Sequence, residues 1–206
     1  MLEADERYPD GTFVEDTAVV AERVAVASRP GAPTRAGEVS SVAEALARLR
    51  PKLERIAAPG TLDGGDVCQV EEHFLIGVSA RTNPSGAQQL ADILRRHGYS
   101  ASLLDIRSHP TLLHLKSGIS YLGERRFTVS ADAPALDGLE GFERIEVAKD
   151  EAYAANCVRV NDTVLIAAGY PRLAERLDGL GYALRTLEVS EFRKMDGGLS
   201  CLSIRL

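Results

Sequence analysis

The sequence predicts an α/β protein in which one strand–turn–strand–helix–strand unit is repeated around a ring. Three observations carry that prediction. Apolar alternation and helical periodicity take turns along the whole chain. Unit starts fall near residues 12, 61, 111 and 154, steps of about 49, 50 and 43 residues, near the ~20–50 range that marks repeat architecture. The chain then ends on Met195-Asp-Gly-Gly-Leu-Ser-Cys201 and a short alternating tail, which opens a fifth copy and stops. The helices separate these units from four-stranded all-β propeller blades.

In the first unit, Asp10-Gly11 reads as a turn and residues 12–20 as a strand interrupted by Glu15-Asp16. Acids are poor strand formers. The conflict marks either a functional site or an edge strand that uses charge against aggregation. Residues 24–28 form a second strand, ended by Arg29-Pro30-Gly31. Val42, Leu46 and Leu49 then recur at helical spacing, with Ser40 or Ser41 as the cap. The second unit follows the same plan: strands over 61–70 and 73–78, a helix over 85–97 closed by Gly98, and a strand over 101–106. The third has strands within 111–122 and 126–129 and a weak, glycine-broken helical stretch near 136–142. The fourth has strands over 156–160 and 163–168, a helix over 171–180 and a strand over 183–189.

With 206 residues, 45% hydrophobic and 26% charged, the chain reads as one soluble domain over 1–206. A net charge of −6 argues against nucleic acid or an anionic membrane as partner. Cys68, Cys157 and Cys201 are odd in number and widely spaced, which fits neither a disulfide framework nor a zinc site and points to a reducing compartment. The acidic N-terminus lacks a signal-peptide pattern, and no apolar run approaches the ~18 residues of a membrane span. The expectation is a cytoplasmic protein.

One chemical regularity follows from the repeat. At or near the first strand of successive units stand Glu15-Asp16, Asp63 with Asp66, His114 and Cys201. In a closed ring these converge near the axis. Taken singly, Cys201 also fits a buried small hydrophobe, and His114, between Leu113 and Leu115, a core or interface histidine. Together they suggest nucleophilic catalysis: a thiolate attacks, the imidazole moves protons, and a carboxylate orients it. Extra acids beside the nucleophile suit a planar cation such as a guanidinium. Metal binding by His114, Cys201 and the acids would lack any HExxH or CxxC pattern.

The segments Asp10-Gly-Thr-Phe-Val-Glu-Asp-Thr17, Ser28-Arg-Pro-Gly-Ala32, Thr61-Leu-Asp-Gly-Gly-Asp66, Ser79-Ala-Arg-Thr-Asn83, Leu113-His-Leu-Lys-Ser117 and Met195-Asp-Gly-Gly-Leu-Ser-Cys201 resemble the dimethylarginine dimethylaminohydrolase family of the guanidine-modifying (pentein) superfamily. The resemblance spans nearly the whole chain, and the six motifs are specific only in combination. It implies a five-bladed β/α propeller that hydrolyses Nω-methylated arginine to citrulline and an amine through a covalent thiouronium. Cys201 would be the nucleophile, His114 the proton carrier and Asp63 the acid that orients it. Glu15, Asp16 and Asp10 would serve the guanidinium side and pocket. Arg29 and Arg81 would hold the α-carboxylate, with Met195 and Asp196 lining the approach to the cysteine. No cofactor or metal is implied. The partner is a small molecule, and a homo-oligomer is compatible. Arginine deimination, and non-catalytic capture of arginine-like ligands, remain as alternative readings. The family also carries a strand and helix ahead of the segment where this sequence starts. The unit count agrees, so the fold expected here is a propeller incomplete at its N-terminus, less stable and less active than one with that piece restored.

Overall fold

In the computed structural model, which describes residues 5–50, 52–135 and 141–206, the repeat becomes four three-stranded sheets. In each, the first strand pairs antiparallel with the second across a short turn. The second pairs parallel with the third, which demands a crossover. The first unit is β1 (Ala18–Val20), β2 (Ala25–Ala27), helix α1 (Val39–Leu49) and β3 (Leu53–Arg55). The second is β4 (Val67–Val70), β5 (His73–Val78), α2 (Pro84–Arg96) and β6 (Ser100–Asp105). The third is β7 (Ile119–Tyr121), β8 (Arg126–Ser130) and β9 (Glu143–Val147); most of the helical stretch expected near 136–142 lies outside the described residues. The fourth is β10 (Val158–Val160), β11 (Thr163–Ala167), α3 (Pro171–Gly179) and β12 (Ala183–Leu187), after which the short α4 (Ser190–Arg193) leads into the C-terminal segment.

The second unit shows why these residues fold this way. β5 is a near-continuous apolar run, the pattern of a strand covered on both faces, and Phe74, Leu75 and Ile76 are 1%, 0% and 0% exposed. Ala87, Leu90, Ala91 and Leu94 fall on one face of α2 and are fully buried in the same core as Phe74 and Ile76. Each buried leucine there contributes roughly 1.5–3 kcal/mol. Asn83 caps the helix by accepting the Gly86 amide at 2.8 Å. Gly98, at φ +81°, ends it in a conformation that costs glycine little.

Three expectations are corrected. Helix α1 starts at Val39 behind Glu38, with no side-chain cap, so Ser40 and Ser41 lie inside its first turn. The Glu38 carboxylate is committed instead to the Arg35 guanidinium, at 2.7 Å. The expected first strands also begin late, because one-turn 3-10 helices precede them: Val14–Thr17 before β1, Gly64–Asp66 before β4 and Leu115–Ser117 before β7. Glu15 and Asp16 therefore occupy a turn, where short polar side chains readily bond to backbone, and not a strand. Finally, Ser200–Leu202 is the same kind of turn, and residues 203–206 form no strand. Cys201 sits on a helical turn, with no strand paired alongside the tail among the described residues.

The turns gather at one end of the first strands, and Ser200–Leu202 takes the fifth place beside them. At the other end of those strands lies a wider cavity of about 600 Å³, reached by Val20, Gln69, Tyr121, Arg159 and Leu206. No helix among the described residues is long and apolar enough to cross a membrane.

Candidate active site

Buried polar side chains stitch each turn to the next. Asp16 Oδ1 accepts the Gly65 amide at 2.8 Å, and Asp66 Oδ1 accepts the Leu115 amide at 3.0 Å; both bonds span 49 residues, the repeat step itself. Asn156, just ahead of β10, performs the corresponding task for the last turn, its Oδ1 accepting the Ser200 amide at 2.9 Å. Ser200 Oγ closes the circle by donating to Glu15 Oε2 at 2.7 Å. An acid or amide thus recurs near the start of units because the next unit's turn offers an amide that needs an acceptor.

Asp63 and His114 meet inside this frame. His114 Nε2 lies 3.1 Å from Asp63 Oδ2 and 3.9 Å from Asp16 Oδ1. Asp63 Oδ1 accepts the Gly31 amide at 2.8 Å, so its carboxylate is held from two sides. Burial opposes the charged imidazole, yet the Asp63 bond and the nearby charges of Asp16 and Asp66 outweigh it and raise the His114 pKa to about 9. Burial likewise opposes the Asp63 carboxylate, and the His114 contact wins and holds its pKa below the usual carboxylate range. Both directions describe an imidazolium–carboxylate pair at neutral pH. Gly65 packs on the ring: a Cβ there would stand 2.8 Å from His114 Cγ and Nδ1.

Cys201 is half-buried, and the Gly198 amide donates to its Sγ at 3.4 Å. Burial pushes its thiol up to about 12, and the carboxylates of Glu15 and Asp16 add to the rise. The Gly-Gly pair before it has a steric reason. A Cβ on Gly197 would collide with the Phe13 ring at 2.1 Å, and one on Gly198 with the Asn156 amide at 2.6 Å. Cys201, His114, Glu15, Lys116, Tyr153 and Asp196 share one cavity of about 50 Å³. Lys116 Nζ bonds Glu15 Oε1 at 2.5 Å, and both residues also border the wider cavity, so this ion pair divides the two.

The other sequence-predicted residues are distributed around this centre. Asp16 and Asp63 stand behind the imidazole. Asp196 reaches the cavity from a left-handed turn, at φ +59°. Met195, 49% exposed, Asp10, half-exposed on the Pro9–Thr12 turn, and the exposed Arg29 do not line the small cavity. Arg29 Nη1 donates to the Gly60 carbonyl at 3.1 Å. Arg81 also lies outside the cavity, its backbone carbonyl pressed against Gly31, where a Cβ would come within 2.2 Å.

Sequence reasoning passed over four residues that hold the centre. Arg35 is buried and donates to Asp16 Oδ2 at 2.5 Å, to Glu38, and to the Phe13 carbonyl at 2.9 Å. Lys116 and Ser200 stood inside quoted motifs without a role, and Asn156 stood outside them. The step between units was the available signal, since 15 and 16 fall in register with 65 and 66 and with 115 and 116. Asp16, Asp63 and His114 present ligand atoms within 4.8 Å of one another. The Arg35 guanidinium holds the other oxygen of Asp16, Oδ2.

Known proteins share this chain's sequence and fold. The arginine deiminase family model matches residues 43–154. The chain is 44% identical over its whole length to the N(G),N(G)-dimethylarginine dimethylaminohydrolase of Pseudomonas aeruginosa, covering 80% of that protein. It is 36% identical to the enzyme of the same name from Streptomyces coelicolor over 96% of this chain and 75% of that one. Among solved structures, the Pseudomonas enzyme, as a cysteine-to-serine variant with citrulline, superposes with a TM-score of 0.94 at 43% identity, covering 98% of this chain and 78% of that one. A cyanobacterial arginine dihydrolase domain at 20% identity shares the fold, with a TM-score of 0.87 over 98% of this chain and 77% of that one. This chain belongs to the dimethylarginine dimethylaminohydrolase family.

Proposed function

We propose that this chain hydrolyses Nω-methylated arginine to citrulline and methylamine or dimethylamine, with Cys201 as nucleophile. The observation that carries the reading is one small cavity containing a thiol, an imidazolium braced by a buried carboxylate, and a further carboxylate at Glu15. It is supported by two solved structures at 43% identity, the Pseudomonas enzyme with citrulline and a dimethylarginine dimethylaminohydrolase as an adduct with S-methyl-L-thiocitrulline. The four units and the fifth turn act as one domain, and the three free cysteines fit a reducing, cytoplasmic setting.

The resting site holds a neutral thiol and a charged imidazole. A guanidinium entering beside Glu15 places a positive charge next to Sγ, which favours the thiolate, and the thiol proton leaves to solvent. The thiolate attacks the guanidinium carbon and gives a neutral tetrahedral adduct. His114 donates its proton to the substituted nitrogen. The C–N bond breaks, the amine departs, and a thiouronium cation remains on Cys201. Neutral His114 then takes a proton from water as the oxygen attacks. Collapse breaks the C–S bond and releases citrulline, the hydroxyl proton passes to sulfur, and His114 keeps its proton, which restores the resting site. Asp63 orients the imidazole throughout and stabilises its charged form. Glu15 and Asp16 supply the negative field, and Lys116 keeps Glu15 in place. Arg29 and Arg81 hold the substrate's α-carboxylate at the rim, with Asp10, Met195 and Asp196 framing the entrance.

The arginine deiminase match supports a second reading, in which unmethylated arginine is the substrate and ammonia departs. Citrulline release measured side by side from dimethylarginine and arginine decides between them. The proposal expects turnover of the methylated substrate, abolished in Cys201→Ser. Citrulline from arginine alone would favour deimination, and none from either would leave a binder.

A further inference from the structure

We propose that Asn156 is a positioning residue that fixes the nucleophile turn to the proton-carrier turn, and that the reaction depends on it. The inference rests on the hydrolase reading above but concerns a residue outside the Cys201, His114 and Asp63 set.

Asn156 is 6% exposed, and its side chain makes three hydrogen bonds, using both donors and its oxygen. Oδ1 accepts the Ser200 amide at 2.9 Å. Nδ2 donates to Ser200 Oγ at 2.9 Å and to the Lys116 carbonyl at 2.9 Å. Ser200 immediately precedes Cys201, and Lys116 lies in the turn that His114 begins. One side chain therefore sets the separation of the two turns. The circuit closes behind it, because Ser200 Oγ donates to Glu15 Oε2 and Lys116 Nζ holds Glu15 Oε1. Gly198 lacks a side chain where Asn156 stands, so the backbone of the nucleophile turn is shaped around this amide. No other residue type does all of this. Aspartate keeps the acceptor but loses both donors and aims an oxygen at the Lys116 carbonyl, whereas alanine loses everything.

A misplacement of about 1 Å costs on the order of 10²-fold in rate. Asn156→Ala is therefore expected to lower kcat by about 10²-fold while KM stays within about threefold, the signature of lost transition-state geometry and not of lost binding. Amide hydrogen exchange should quicken in the peptide spanning 198–202 and stay unchanged in β5 and β8. Asn156→Asp should show the same kcat loss, with the Ser200 amide still protected. If Asn156→Ala does not fold, the near-isosteric Asn156→Asp decides, by the same split. A kcat within about threefold of wild type in the folded variant, or kcat and KM changing in step with exchange raised across β5 and β8, overturns the proposal. If the wild-type protein releases no citrulline, the hydrolase reading fails, and the exchange measurement still decides whether Asn156 holds the turn.

Discussion

The two halves of the site solve the same structural problem with different chemistry. On the side of units one and two, carboxylates accept the next turn's amide: Asp16 from Gly65, Asp66 from Leu115. On the side of units four and five, beside the thiol, a neutral amide does so: Asn156 from Ser200. The charged side collects cations, with Arg35 on Asp16 and an imidazolium on Asp63. The neutral side adds no negative charge next to a sulfur already pushed up to about 12. Negative charge is placed where a proton or guanidinium must be held, and Asn156 adds none to what Glu15 and Asp16 already bring to the thiol.

Asp63 and Asp66 sharpen the contrast, since both are 0% exposed and stand three residues apart. Asp63 faces a cation and its pKa is lowered. Asp66 faces the hydroxyls of Ser79 and Thr82 at 2.6 and 2.7 Å, and burial raises its pKa. One acid is electrostatic, the other a hydrogen-bonding hub. Replacing the first should erase activity with little loss of fold; replacing the second should do the reverse.

The largest effect is therefore expected for Asp63→Asn, a loss of roughly 10²–10⁴-fold in kcat, since an amide still accepts the Gly31 bond but no longer orients a charged imidazole. Steady-state kinetics with a melting curve separate the two quantities. Asp16→Ala removes one of the two carboxylates on the Arg35 guanidinium, whose side chain is 7% exposed and keeps Glu38, and should cost about 1–3 kcal/mol of stability, read by chemical denaturation. Gly65→Ala forces a methyl group against the His114 ring. It should lower kcat about tenfold or more with a smaller change in melting temperature, and an unchanged kcat would show that the ring has room to yield. The smallest effect is in pH. A histidine raised from 6.5 to about 9 stabilises the fold fully below pH 6.5 and loses that contribution as pH climbs through 9. The melting temperature should fall between pH 6.5 and about 9, and His114→Gln should flatten that slope.

Much of this was legible in the sequence where local pattern and tertiary role coincide. β5 and α2 read correctly because their periodicity is the burial pattern. The unit step placed Cys201, His114 and Asp63 in one neighbourhood before any geometry was available. Other elements were opaque for identifiable reasons. β3, Leu-Glu-Arg, is three residues long and carries no alternation to read. β9 buries only Ile145 and Val147 and follows a glycine-broken stretch that masks it. Residues 12–20 read as a strand interrupted by two acids, yet Asp16 finds the Gly65 amide and Glu15 the Lys116 and Ser200 side chains across the ring, and both acids settle in a turn. Arg35 and Asn156 were invisible because their partners lie 19 to 44 residues away, and nothing in the local sequence announces such bonds.

The central claim is that Cys201 forms the covalent intermediate. Acid-quenching the protein during turnover of dimethylarginine and mapping the peptides by mass tests it most directly. The account predicts an added mass on the peptide containing Cys201 and on neither Cys68 nor Cys157, both buried. Turnover without an adduct on Cys201, undiminished in Cys201→Ser, would contradict it.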